Sequence, residues 1–270
     1  MTAGPYLDVM IPHIASLPSR ALVRVSGPDA RVFLHTLLTQ DVETLANGAL
    51  RFGALLSPPG RLLFDLFLWG ETDAVLLDVA ADRREALMQR LAMYRMRARV
   101  EIAADARPVF AAWPGPAEGF TADPRTAALG GRRYGGAVEA NATEDDWQAH
   151  RLAVGVPDPA ADAGTDRTYP IEADFDLLGG IDFQKGCFIG QETTSRMKRR
   201  GDIRKRMLPI AFDGPAPAPG TEVLNGDLRA GEVLTGRDGA AMALLRLDRL
   251  EGALTVDGRA ATVRRPDWLP

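Results

Sequence analysis

The sequence predicts an α+β fold: a mixed body over residues 1–204 followed by a small all-β module over residues 205–270. Two observations carry this expectation. Upstream, apolar residues recur at both strand and helix spacing, and the turns between them are rich in Gly, Pro and Asp. Downstream, five short alternating runs succeed one another with no helical period between them, as in a small barrel or sandwich.

The elements follow in order. Arg20–Ser26 alternates as a strand, Gly27–Pro28–Asp29 supplies helix-start chemistry, and Val32, Phe33, Thr36 and Leu37 then recur at helical spacing. The stretch RFGALLSPPGRLLFDLFLW reads as a hairpin turned at Ser57–Gly60, and AVLLDVA adds a third antiparallel strand. ADRREALMQRLAMYRMRARV has the stripe Leu87, Leu91, Tyr94 of an amphipathic helix. PVFAAWPG is strand-like, and the Gly/Pro-rich stretch holding Asp123–Arg125 and LGGRRYGG reads as a connection. Glu144–Gly155 is helical and ADAGTDRTYP is a loop. In the terminal module LPIAFDG, TEVLNGD, RAGEVLTG, AAMALLRL and ALTVDG are the strands, and PAPAPG bridges two of them.

Composition narrows the function classes. The 270 residues are 46% hydrophobic and 25% charged, with a formal net charge of -4. Such values are ordinary for a soluble globular protein. No apolar run approaches the roughly 20 residues that span a bilayer, so no membrane partner is expected. MTAGPYLDVM lacks the charged start and apolar stretch of a signal peptide. One cysteine excludes an internal disulfide and any four-cysteine site within one chain, which favours a reducing, cytoplasmic compartment. The acidity hides an asymmetry: Ser195–Arg206 holds seven basic residues and one acid, +6, so the remainder sums to -10.

Several chemistries fail on spacing. His13, His35 and His150 are far apart and none has metal-ligand spacing with Cys or Glu. Gly186–Thr193 resembles a phosphate loop, but Gln191 stands where its lysine would be. There is no GxSxG elbow, nor a GxGxxG after a strand.

The stretch KGCFIGQE (Lys185–Glu192) holds the lone cysteine. Gly186 and Gly190 allow close backbone approach or positive φ. Cys187, beside Lys185 and ahead of further cations, sits in a field that favours thiolate, which is both a nucleophile and a soft iron ligand. One thiolate cannot hold a cluster alone. Three readings stand for Cys187: a small buried hydrophobe, a nucleophile, or a single ligand completed by a partner. Gln191 and Glu192 are expected to hold the loop through backbone hydrogen bonds.

GIDFQKGCFIGQET followed by SRMKRRGDIRKR closely resembles the signature of the YgfZ-like folate-binding family, which mitochondrial iron–sulfur assembly relatives share. SGPDARVFLHTLLTQDV, SPPGRLLFD, LAMYRMRARV, ADPRTAALG and HRLAVGVPD fit the same family. The family is related to the glycine-cleavage aminomethyltransferase, or T-protein. The resemblance implies subdomains around a central hole for tetrahydrofolate or a derivative, closed partly by the C-terminal β-barrel. YPIEADFDLLGG places Glu172 in the pterin-anchoring position, where a carboxylate accepts paired hydrogen bonds. Arg151 and the cations from Arg196 to Arg206 would meet the glutamate tail. Gly186, Gly190, Gln191 and Glu192 would line the cofactor side.

T-proteins carry two acids after the glycine turn, the first catalytic; here the pair reads Phe64–Asp65. That argues against aminomethyl transfer by the T-protein route. The resemblance implies a folate-binding accessory protein for the synthesis or repair of iron–sulfur enzymes, including those that modify tRNA. Iron–sulfur enzymes or assembly proteins would be transient partners, with no intrinsic metal. Two alternatives stand beside it. One is a one-carbon transferase or demethylase using Asp65. The other is RNA contact through Arg196–Arg206, where the lack of interleaved aromatics tells against direct nucleic-acid binding.

Overall fold

In the computed structural model, which describes residues 11–201 and 203–270, the Ser57–Gly60 turn closes a long hairpin, and the body is built outward from it. Residues 1–10, over which no signal peptide is expected, lie outside the described residues. In chain order the elements are β1 (His13–Ser16), β2 (Arg20–Ser26), α1 (Ala30–Leu37), β3 (Leu50–Leu56), β4 (Leu62–Gly70), β5 (Ala74–Ala80), α2 (Arg84–Arg95), β6 (Glu101–Asp105), β7 (Val109–Trp113), β8 (Thr121–Ala122), β9 (Gly131–Tyr134), α3 (Glu144–Val154), α4 (Pro159–Asp162), α5 (Gln191–Arg200), β10 (Lys205–Phe212), β11 (Glu222–Asn225), β12 (Leu228–Arg237), β13 (Ala240–Arg246), β14 (Leu254–Val256) and β15 (Arg259–Val263).

A five-stranded antiparallel sheet, β3-β4-β5-β2-β6, carries α1 and α2 on one face. Phe33, Leu34 and Leu37 of α1 and Leu87 and Leu91 of α2 pack there on Phe64, Leu66 and Leu68 of β4. A four-stranded sheet, β1-β7-β9-β8, shares a core with α3 through Trp113, Trp147 and Leu129. Strands β10-β13-β12-β11-β14-β15 close into a six-stranded barrel around Ile210, Val233, Ala243 and Val256. The α+β expectation with a terminal barrel is therefore met.

The details correct the sequence reading in several places. Val32 faces solvent, and Ala30 and Leu34 take its place in the buried stripe. The α2 helix ends at Arg95, five residues before the expected limit, where Met96 turns to positive φ and frees Glu101–Asp105 to join the sheet beside β2. The stretch expected to be a connection holds β8 and β9, the latter pairing with β7. The barrel gains a sixth strand, β15. The basic stretch opens with α5, a helix whose one buried residue is Thr194.

Candidate functional site

The loop that carries Cys187 is fixed before it is exposed. After α1, Thr39 donates its hydroxyl to the Gly180 carbonyl (2.7 Å), and the amide of Asp182 donates to the Thr39 carbonyl (2.9 Å). His35 then reaches across with Nε2 to the carbonyl of Lys185 (3.0 Å), while its Nδ1 faces Asp41 Oδ1 (3.0 Å). Burial alone would raise the Asp41 carboxyl, but donation from Thr44 and Glu43 and the charge of Arg51 bring it down to about 2. The Lys185 ammonium donates back to the His35 carbonyl and lies 5.2 Å over the Phe188 ring. Burial lowers the pKa of Lys185, partly offset by Asp182 and Asp41.

Phe188 and Ile189 point inward, into the two cores on either side of the hairpin. Gly190 then makes the closest backbone contact of the site. A Cβ on Gly190 would stand 2.7 Å from Gly60 Cα and 2.8 Å from the Ser57 carbonyl oxygen. Two glycines separated by 130 residues in sequence thus seat α5 directly on the hairpin turn. Between these anchors Gly186, with φ of 98° and open space around it, turns the chain outward, and Cys187 is exposed.

This geometry revises the roles read from sequence. Cys187 is not a small buried hydrophobe: it is exposed, and its neighbours Phe188 and Ile189 pack into the cores instead. The Lys185 ammonium bonds the His35 carbonyl and lies over Phe188, and it meets Cys187 through charge alone. The downstream cations Lys198, Arg199 and Arg200 lie in the last turn of α5, the end away from Cys187. Glu192 is almost wholly exposed and meets Arg196 at 3.8 Å, so it does not tie down the loop, and Gln191 contributes its backbone amide to the Phe188 carbonyl. His35 is the residue that sequence reasoning missed, since nothing local connects it to a lysine 150 positions away. The described residues contain no group of three or more His, Cys, Asp or Glu side chains able to hold a metal ion.

The central region expected to receive folate is filled by charge. Arg20 bonds Asp65 Oδ2 (2.9 Å) and Asp78 Oδ1 (2.6 Å), Arg132 bonds Asp78 Oδ2 (2.7 Å), and Arg125 bonds Asp123 Oδ2 (2.8 Å). All three guanidinium groups lie over the Phe67 ring, Arg132 at 3.7 Å. Two cavities border Asp65, each with only about 10 Å³, room for a single water. Glu172 accepts the Tyr169 amide on Oε2 (3.0 Å), a local turn contact. Arg151 is buried, donating to Gln148 Oε1 (2.7 Å) and the Val156 carbonyl (2.6 Å), so it is no solvent-facing counter-charge for a ligand tail. Ligand pockets for molecules of folate's size hold about 300 Å³ or more. The residues around Asp65 therefore do not fit a pterin in this arrangement.

Strand alternation also changes what position 64 means. Phe64 packs with Leu66 and Leu68 under the helices, whereas Asp65 and Phe67 face the arginines on the opposite side. The acid that faces the interior is present, as Asp65, and it is neutralised by Arg20.

Comparison with known proteins agrees with this architecture. Residues 204–270 match the CAF17 C-terminal β-barrel domain. The chain is 32% identical to the human mitochondrial iron–sulfur cluster assembly factor IBA57, over 94% of this chain and 84% of that protein. A fungal homologue from Phaeosphaeria nodorum is 35% identical over 74% of this chain and 55% of its own length. Among solved structures, the glycine cleavage system aminomethyltransferase T from Bartonella henselae aligns with a TM-score of 0.77, covering 96% of this chain and 86% of that one at 18% identity. The expectation of a cytoplasmic compartment is overturned by these relatives, which are mitochondrial proteins. A lone cysteine reports on reducing conditions and does not separate the two compartments.

Proposed function

Because this chain belongs to the IBA57-like iron–sulfur assembly factors of the YgfZ/CAF17 family, we propose that it serves the assembly or repair of iron–sulfur enzymes, those that modify tRNA included, through the exposed thiol of Cys187. The observation that carries the reading is the contrast within KGCFIGQE: Lys185, Phe188 and Gly190 are anchored on either side, whereas the Cys187 thiol faces outward. A thiolate is a soft ligand for iron or an iron–sulfur species, which is here the cargo. One such ligand leaves the remaining coordination positions to a partner, so cargo held this way is held transiently. His35, Lys185 and Gly190 fix where the sulfur stands, and Gly186 supplies the backbone turn that presents it.

The reading contains no folate step, since the interior around Asp65 does not fit a pterin. It contains no aminomethyl transfer either, because Asp65 is held as the ion-pair partner of Arg20.

Complementation tests the proposal. Cells lacking this protein should lose iron–sulfur enzyme activity, recover it with the wild-type chain, and fail to recover it with a folded Cys187→Ala variant. Full recovery with that variant would remove the cysteine from the mechanism. Undiminished iron–sulfur enzymes in the deleted cells would overturn the function itself.

A further inference from the structure

A groove of about 600 Å³ runs along one side of α5, lined by Phe183, Gln191, Glu192, Ser195, Lys198 and Arg199. Gln191, Ser195, Lys198 and Arg199 stand at i, i+4, i+7 and i+8, which is one face of the helix. The groove begins four residues after Cys187 and ends at the basic last turn of α5. Lys198 meets Asp176 (3.1 Å) and Arg196 meets Glu192 (3.8 Å), but among the described residues neither Arg199 nor Arg200 meets a carboxylate. Positive charge continues past the helix. Lys205 pairs in register with Arg246, and together with Arg229 and Arg249 they line a second groove of about 340 Å³, in which Arg229 meets Glu222 (3.3 Å) and Glu232 (2.5 Å) and Arg246 meets Asp248 (2.8 Å).

Such a surface selects an anion, and its shape favours an acidic polypeptide over RNA. The ring in the α5 groove, Phe183, lies under the Lys198 ammonium at 5.8 Å, and the second groove has no aromatic side chain, so a base finds no free stacking face. A ten-residue helix is about 15 Å long, the span of four to five extended residues at about 3.3 Å each. We propose that the α5 groove receives an acidic, extended segment of a partner protein, bound by Arg199 with Lys198 beside it and laid with one end beside Cys187. The inference deepens the assembly-factor reading, because it states which surface brings a partner's cargo to the thiol.

The test uses the purified full-length chain and a fluorescein-labelled peptide of six alternating Asp and Glu residues. Anisotropy should show saturable binding at low salt that weakens as salt rises, and R199E should weaken it at least tenfold with the melting temperature unchanged. The same peptide with an N-terminal bromoacetyl group should alkylate Cys187, the sulfur displacing bromide, at least tenfold faster than free bromoacetamide. That advantage should vanish in R199E. A lack of saturable peptide binding, tighter binding of a six-nucleotide single-stranded RNA, or alkylation unchanged by charge reversal would each overturn the proposal. None of these readouts involves iron, so docking can fail while complementation by the wild-type chain succeeds, and the two readings are judged separately.

Discussion

His35 and Lys185 hold one another across the fold: the histidine ring meets the lysine carbonyl, and the lysine ammonium meets the histidine carbonyl. The pair ties the last turn of α1 to the loop that presents Cys187, so the thiol's position depends on a helix far away in sequence. Removing the ring in His35→Ala deletes the contact to Lys185 and leaves its carbonyl to water, a loss of about 1 kcal/mol. Amide hydrogen exchange over residues 183–188 should accelerate, while exchange in the barrel stays as it was. Unaltered exchange in that loop would show that Phe188 and Ile189 position the cysteine alone.

The Gly60–Gly190 contact predicts a sharper result. Both residues have positive φ, and each leaves no room for a Cβ against the other's backbone. Gly190→Ala must therefore push α5 off the hairpin turn in addition to straining the backbone, and should cost about 2–3 kcal/mol. Gly186→Ala is the control, since its Cβ would meet nothing within 4 Å. It should cost only the strain of positive φ, about 1 kcal/mol. Chemical denaturation of the two variants measures the difference, and equal losses would refute the packing explanation.

How much of this was legible in the sequence follows from how local each feature is. The β3–β4 hairpin and the α3 helix could be read because Ser57–Gly60 and the Thr143/Gly155 caps carry their own turn chemistry. The α5 helix could not, because Thr194 is its only buried residue and its seating rests on a glycine 130 residues earlier. Strand β15 reads RAATV, too short and too weakly alternating to stand out before pairing with β10 and β14. In the site, Cys187 was visible as a motif, but its exposure depends on where Lys185, Phe188 and Ile189 point. Arg20, Arg125 and Arg132 were invisible as a cluster because Phe67 gathers them from two strands and a loop.

Asp174 predicts a pH dependence. It is fully buried at positive φ, bonds Arg206 through Oδ1 (2.7 Å), and its Oδ2 has no partner. Burial raises its carboxyl to about 7, against the pull of Arg206. A carboxyl raised above its unfolded value of about 3.9 binds more protons folded than unfolded, so its contribution falls as pH climbs from about 4 to 7. Asn tolerates positive φ and keeps the acceptor toward Arg206 while removing the titration. Asp174→Asn should flatten the dependence of melting temperature on pH across this window and be at least as stable as wild type at pH 8. A variant whose curve parallels the wild type would place the titration elsewhere.

The Arg20–Asp65 pair separates an inherited catalytic acid from a structural one. In a transferase, Asp65→Asn would abolish turnover and leave folding intact. Here Asp65 is buried against Arg20, and removing its charge leaves a buried guanidinium short of one partner, a loss of about 3 kcal/mol. Thermal unfolding should therefore shift to lower temperature, and complementation at a permissive temperature should persist. Calorimetric titration of the wild-type chain with tetrahydrofolate supplies the second reading. No saturable heat is expected, because opening a pterin-sized space beside Asp65 would require breaking the contacts of Arg20, Arg125 and Arg132 with Asp65, Asp78 and Asp123. Saturable binding abolished by Glu172→Ala would show that these ion pairs rearrange to admit the ligand, and would return folate to the function of the chain.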